Sequence, residues 1–204
     1  MARRSKPHPW ADRPDLLTSI RSPWDHYRKL DWNFSRYEDA TFARPCDSEA
    51  VVYTALDFAV SVLSLRDWTK RWLIRQSRGQ MRSPPLGMDR FEDFDDWVRA
   101  KIPWQKAVEA IANTTKHGQY RDSGWEQGIA MPESFFPETL REEHEACDDG
   151  LELFVFMHKH REQVWWDIAF RQGSSANAEP GCNVLGSVLD GWKSILTELD
   201  LVED

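Results

Sequence analysis

Apolar residues recur every three or four positions over most of this chain, the spacing of amphipathic helices. Ser22-Pro23 supplies the first start signal, with Ser as N-cap, Pro at the first helical position and Asp25 at the third. Tyr27, Leu30 and Phe34 follow at helical spacing, and the high charge of residues 24–39 predicts a helix laid across the surface of the main body. Asp47 or Ser48 then caps the longest pattern, which runs to about Arg78. Val52, Ala55, Leu56, Ala59, Val62 and Leu63 form one of its stripes, and Phe58, Leu65 and Trp72 a second, so this helix is expected at the centre of a bundle.

Residues 79–87, with Pro84-Pro85, break the pattern. Residues 92–102 predict a short helix with Phe94, Trp97 and Val98 turned inward, and Pro103 opens the next. From Trp104 to His117, Trp104, Ala107, Val108, Ile111, Ala112 and Thr115 fit the amphipathic template closely, and Gly118 is a natural stop. Residues 118–139 contain Gly118, Gly124, Gly128, Pro132 and Pro137 and read as a long surface loop. Residues 140–146 predict a helical turn. The runs 151–157 and 164–170 are rich in Phe, Val, Trp and Ile around a charged centre, Lys159 to Glu162, and predict a β-hairpin, with one continuous helix as the competing reading. Residues 172–181 read as a loop. The chain closes on a helix over 183–199 whose Val184, Leu185, Val188, Leu189, Trp192, Ile195, Leu196 and Leu199 share one broad face. The fold class is therefore mainly α: a helical bundle around a long central helix, with a small β-hairpin and a closing C-terminal helix.

Composition narrows the setting. With 204 residues, 41% hydrophobic and 29% charged, the chain can bury one substantial core. We divide it into an N-terminal arm with a peripheral helix (1–45), whose Pro-containing first 22 residues read as mobile, and a helical domain (46–204). Eleven Trp demand a real core or an adhesive surface. A net charge of −8 argues against coating duplex nucleic acid through a broad basic face. Three scattered Cys (Cys46, Cys147 and Cys182) make no disulfide framework, and the default is a reducing cytoplasm. The basic start, Met-Ala-Arg-Arg-Ser-Lys, has no apolar run behind it, and no apolar stretch approaches the roughly 20 residues that span a bilayer, so no membrane role is expected.

Asn113 and His117 fall one turn apart on the face opposite the apolar stripe of the 104–117 helix, on the same side as Lys106. An imidazole at a helix end can act as general acid or base near neutral pH, and an Asn one turn earlier can orient a phosphate or the ring. The plainer reading is that His117 caps the last carbonyls of the helix. Residues 66–82 hold Arg66, Lys70, Arg71, Arg75, Arg78 and Arg82 beside Trp68 and Trp72, a stretch suited to RNA phosphates and base stacking; its plainer reading is a solvated helix end. His144 and Cys147 would share a helix face, and His158 and His160 a strand face, yet the spacing matches no common zinc module, and no metal is assigned. The acidic runs 92–96 and 142–145 read as solvated faces and helix N-terminal charge. Glycine-rich phosphate loops, nucleophile elbows and Cys-His signatures are absent from the sequence, so no cofactor is expected.

The run Ile111-Ala112-Asn113-Thr114-Thr115-Lys116-His117 resembles the Leu-Ala-Asn-Xaa-Xaa-Lys-His signature of a group of bacterial helical proteins, preceded there as here by a long helix with an Asp-Trp pair (Asp67-Trp68). More distantly the chain resembles the HEPN superfamily of small helical bundles, over residues 48–120 and beyond them by element order. HEPN ribonucleases carry Arg-Asn-Xaa-Xaa-Xaa-His; Asn113 and His117 match it, and Tyr120 follows as a Tyr does in some HEPN toxins. The resemblance implies catalytic roles for His117, Asn113 and Lys116 and a protein partner or a homodimer; beside the basic stretch, which offers Arg66, Lys70, Arg71 and Arg75 as RNA contacts, Tyr120 and Arg121 join the candidate RNA-binding residues. Ala112, however, stands where the signature has the Arg that stabilises phosphorane charge, so a cation would have to come from Lys116, Arg121 or Arg66. Two function classes follow: a non-catalytic or weakly catalytic scaffold of a bacterial toxin or phage-defence system, and a metal-independent ribonuclease or nucleotide-modifying toxin using His117.

Overall fold

A computed structural model describes residues 20–44, 47–80, 90, 93–117, 128–148, 150–160, 163–172 and 178–202; the side chains of 77–80, 114–117, 129, 150, 153–154 and 157–158 lie outside that description. The element order is α1 (Pro23–Thr41), α2 (Ser48–Gln80), α3 (Phe94–Lys101), α4 (Gln105–His117), β1 (Gly128–Phe135), a 3₁₀ turn (Glu138–Leu140), α5 (Arg141–Glu145), α6 (Gly150–Lys159), β2 (Trp165–Gln172), β3 (Glu179–Pro180) and α7 (Gly181–Glu198). The segment read as a mobile arm falls, apart from residues 20–22, outside the described residues.

Ser22 and Asp25 close the expected capping box: Asp25 N–H donates to Ser22 Oγ at 3.2 Å, and Ser22 N–H donates to the Asp25 carboxylate at 3.0 Å. Asp47 is the cap of α2, accepting from Glu49 N–H and Ala50 N–H. α2 is buried along one broad face, through Val51, Ala55, Phe58, Ala59, Val62, Leu63 and Leu65, while Tyr53, Asp57, Asp67, Arg71 and Arg75 leave its other side in solvent, so the long helix is central to the core without being enclosed all round. Its span Ser48–Gln76 is long and apolar enough to cross a membrane by length and composition, and half of it is buried inside the protein. α1, expected at the periphery, instead belongs to the core: Leu30 and Tyr37 are fully buried, and Asn33 Nδ2 donates to Ser61 Oγ of α2 at 2.7 Å. Its charge lies on one face and hides an equally continuous buried one. α7 adds Val184, Leu185, Val188, Leu189, Trp192, Ile195 and Leu196 to the same core. Each of the fully buried large side chains contributes about 1.5–3 kcal/mol relative to exposure.

The sheet differs from the expected hairpin in both partners. Residues 151–157 are helical, and β2 pairs antiparallel with β1, inside the stretch read as a surface loop, from Gly128↔Gln172 to Phe135↔Trp165. The continuous-helix alternative also fails, because α6 stops at Lys159 and the chain is extended again by Trp165. β3 is a two-residue strand on the other side of β2, in the order β1-β2-β3. β1 is therefore an edge strand, with Pro132 opposite Ile168. The Ile168 N–H is used elsewhere, donating to Asp167 Oδ1 at 2.7 Å and to Tyr37 Oη at 3.3 Å. The 3₁₀ turn, α5, α6 and Val164 surround a separate small cluster of Leu140, Phe156 and Val164.

One buried joint ties α1, β2 and α7. Asp167 is fully buried; Tyr37 Oη donates to its Oδ1, and Cys182 N–H at the start of α7 donates to its Oδ2 at 3.1 Å. α7 has no capping side chain of its own after Pro180, so a carboxylate from β2 satisfies its first turn and complements its dipole. Gly181 makes room for this joint: a Cβ there would collide with the Tyr37 hydroxyl and stand 2.7 Å from Asp167 Oδ1. Gly181→Ala should therefore lower stability by about 1–3 kcal/mol, read as a drop in Tm.

His26 gives the fold a pH dependence. It is buried against Trp68 (ring centroids 4.6 Å apart), its Nε2 has no hydrogen-bond partner, and burial, followed by the Lys29 charge, lowers its pKa from 6.5 to about 4. The unfolded chain then binds the extra proton first, so this group's contribution is intact above pH 6.5 and fades as pH falls toward 4. Denaturant titrations should show His26→Leu losing on the order of 2 kcal/mol less than wild type across that interval.

Candidate functional site

α4 is built as an amphipathic helix, yet it is buried well beyond its apolar stripe. Ala107, Val108, Ala110 and Ala112 are buried, and so are Gln105 and Glu109, one turn apart on another face. Small side chains on three sides let neighbouring helices approach closely enough to enclose a carboxylate. Glu109 is completely buried and fully partnered: Oε1 accepts from Arg66 Nη1 at 2.8 Å and Gln105 Nε2 at 3.0 Å, and Oε2 accepts from Arg99 Nη2 at 2.7 Å and Nε at 3.0 Å. Gln105 in turn accepts from Trp192 Nε1 at 3.1 Å, which carries the network to α7.

The network continues outward. Arg66 Nη2 donates to Asp67 Oδ1 at 3.0 Å, Arg66 Nε lies 3.5 Å from Asp95 Oδ1, and Lys70 Nζ donates to Asp95 Oδ2 at 2.9 Å. Arg99 Nη1 reaches Asp96 at 3.2 Å. Burial alone would lower the pKa of Arg66 and of Arg99; for Arg66 the Glu109 charge, and for Arg99 the hydrogen bonds to Glu109, outweigh it, and both move up. Both guanidiniums are permanent cations pinned to an internal anion.

The expected site residues divide accordingly. Arg66 and Lys70, assigned to RNA from sequence, are committed to Glu109 and Asp95. Arg71 and Arg75 are exposed on the last described turns of α2. α4 is helical through His117, as the spacing requires, and Asn113 is half-buried. The side chains of Lys116 and His117, and the whole of Tyr120 and Arg121, lie outside the described residues. Ala112, at the position of the missing Arg, is fully buried.

Of the residues weighed as metal ligands, His144 and His160 have other partners, and the side chain of His158 lies outside the described residues. The His144 ring lies 4.4 Å from Phe136 and 5.4 Å from Phe156, and His160 Nε2 pairs with Glu143 at 2.9 Å. No group of three or more metal-ligating side chains occurs among the described residues. Burial and the Asp167 charge push the Cys182 thiol up to about 12, which leaves it protonated and unreactive at neutral pH.

Sequence reasoning missed Glu109. The signal was present: Ala107, Ala110 and Ala112 surround it on a helix that already has a full apolar stripe, and small residues off the stripe mark a second packed face. No protein-family model matches the chain, and comparison with curated proteins and with solved structures gave no match either.

Removing Glu109 leaves two partly buried guanidiniums without their internal carboxylate, and removing an arginine leaves the fully buried Glu109 short of donors. Glu109→Gln should destabilise the protein by about 3–5 kcal/mol, whereas the triple change Glu109→Leu, Arg66→Met, Arg99→Met should recover most of that loss in urea titrations.

Proposed function

We propose that this chain is a non-catalytic, HEPN-like scaffold or accessory subunit of a bacterial toxin or phage-defence system, working in the cytoplasm by binding a protein partner or a second copy of itself. The observation that carries this reading is the commitment of Arg66. Position 112 holds a buried Ala in place of the cation that phosphoryl chemistry needs. Arg66, the described cation bonded to α4's Glu109 from the long helix, is spent on that buried carboxylate. Assignment to a conflict system rests on the motif resemblance around residues 111–117.

Partner binding is supported by apolar side chains left in solvent. Leu151 and Val155, one turn apart on α6, are 70% and 56% exposed. The alternative, a metal-independent ribonuclease or nucleotide-modifying toxin with His117 as general acid or base, draws support from one feature: α4 keeps its helical register from Asn113 through His117.

The two readings separate when wild type and His117→Ala are incubated with total RNA and labelled oligonucleotides. Identical inert behaviour is expected. Cleavage or modification by wild type that the variant lacks would overturn the scaffold reading.

A further inference from the structure

α2 divides its cations between two destinations. Arg66 and Lys70 turn to carboxylates of α3 and α4, whereas Arg71 and Arg75 stay exposed, with neither an ion pair nor a hydrogen bond among the described residues. Arg71 and Arg75 are one helical turn apart, so the pair extends about 6 Å along the axis. Trp72 is half-buried beside it. In a chain of net charge −8, Arg71 and Arg75 put two exposed cations side by side.

We propose that the Arg71–Arg75 face of α2 docks an acidic segment of a partner protein, with carboxylates one helical turn apart engaging the two guanidiniums and Trp72 covering an apolar side chain between them. This deepens the scaffold reading by giving the partner's chemistry. Guanidinium forks match carboxylates in bidentate pairs, and rim charges of this kind govern encounter rate and salt dependence. The dimensions favour a protein segment over a nucleic-acid strand. Exposed Asp67, one turn before Arg71, ends the basic track, whereas single-stranded nucleic acids occupy grooves several nucleotides long. The acidic remainder of the molecule repels a polyphosphate over distances at which a short peptide carries far less charge.

The test uses the full chain and fluorescence polarisation of a short labelled helical peptide with Glu at every fourth position. Its Gln counterpart and a short oligouridine serve as comparison probes. Saturable binding of the Glu peptide is expected, absent for the Gln peptide, steeply salt-dependent, and weakened at least ~10-fold by Arg71→Glu with Arg75→Glu. Those two substitutions should leave thermal unfolding unchanged, because both side chains are exposed, and Lys193→Glu, a single charge reversal at an exposed position of α7, should leave affinity unchanged where Arg71→Glu alone weakens it. Three results would each overturn the proposal: no saturable binding of the Glu peptide, tighter binding of oligouridine than of the peptide, or equal weakening by Lys193→Glu. RNA cleavage by wild type would remove the scaffold reading without affecting this titration, and a failed titration would leave that reading standing without this docking face.

Discussion

A single carboxylate without access to water organises this bundle. Glu109 on α4 is reached by Arg66 from α2, by Arg99 from α3 and, through Gln105, by Trp192 from α7. Moving such charges out of water costs several kcal/mol per ion, and only near-complete hydrogen bonding offsets it. The arrangement therefore adds little net stability compared with an apolar core of equal volume. What it supplies is discrimination: a rotated or shifted α4 would leave a buried anion and two cations unmatched. Apolar stripes slide past one another at modest cost, and charges with fixed partners do not.

A second internal carboxylate performs the same task at the other end of the sequence. Asp167 bonds Tyr37 of α1, 130 residues earlier in the chain, and the first turn of α7, 15 residues later. Together the two acids fix helices that short-range signals cannot orient, since each capping box or stop signal acts within one element. Both also withdraw chemistry from solvent. Tyr37 is held protonated, burial first and Asp167 second raising its pKa, and Cys182 is silenced beside it.

How much of this could be read from the residues follows the range of the interactions involved. Helices α2, α4 and α7 were legible because local periodicity and local caps determine them. β1 was not, because Ile129-Ala130-Met131-Pro132 shows neither alternation nor β-branched enrichment; its extended form depends on the ladder to β2, some 40 residues away. Residues 151–157 misled in the opposite direction: Leu, Phe and Val suit either state, and the helix prevails where Phe156 meets Leu140 and Val164. For the site, spacing placed Asn113 and His117 on a helix, whereas the fate of Arg66 and Lys70 depended on Asp95 and Glu109, whose proximity no local pattern encodes. Counting cations along α2 therefore overstated the charge it presents to solvent.

Among the described residues β1 is an outer strand of the sheet, and its proline has a consequence at high protein concentration. Because the Ile168 N–H turns toward Tyr37 and Asp167, the Pro132–Ile168 pair is one without mutual hydrogen bonds, and the donor that proline lacks is missing from the solvent side. A strand from a neighbouring molecule laid along that margin would lose a bond at its midpoint and meet the pyrrolidine ring. Runaway strand-to-strand stacking is thereby discouraged along β1, the longer of the two outer strands among the described residues.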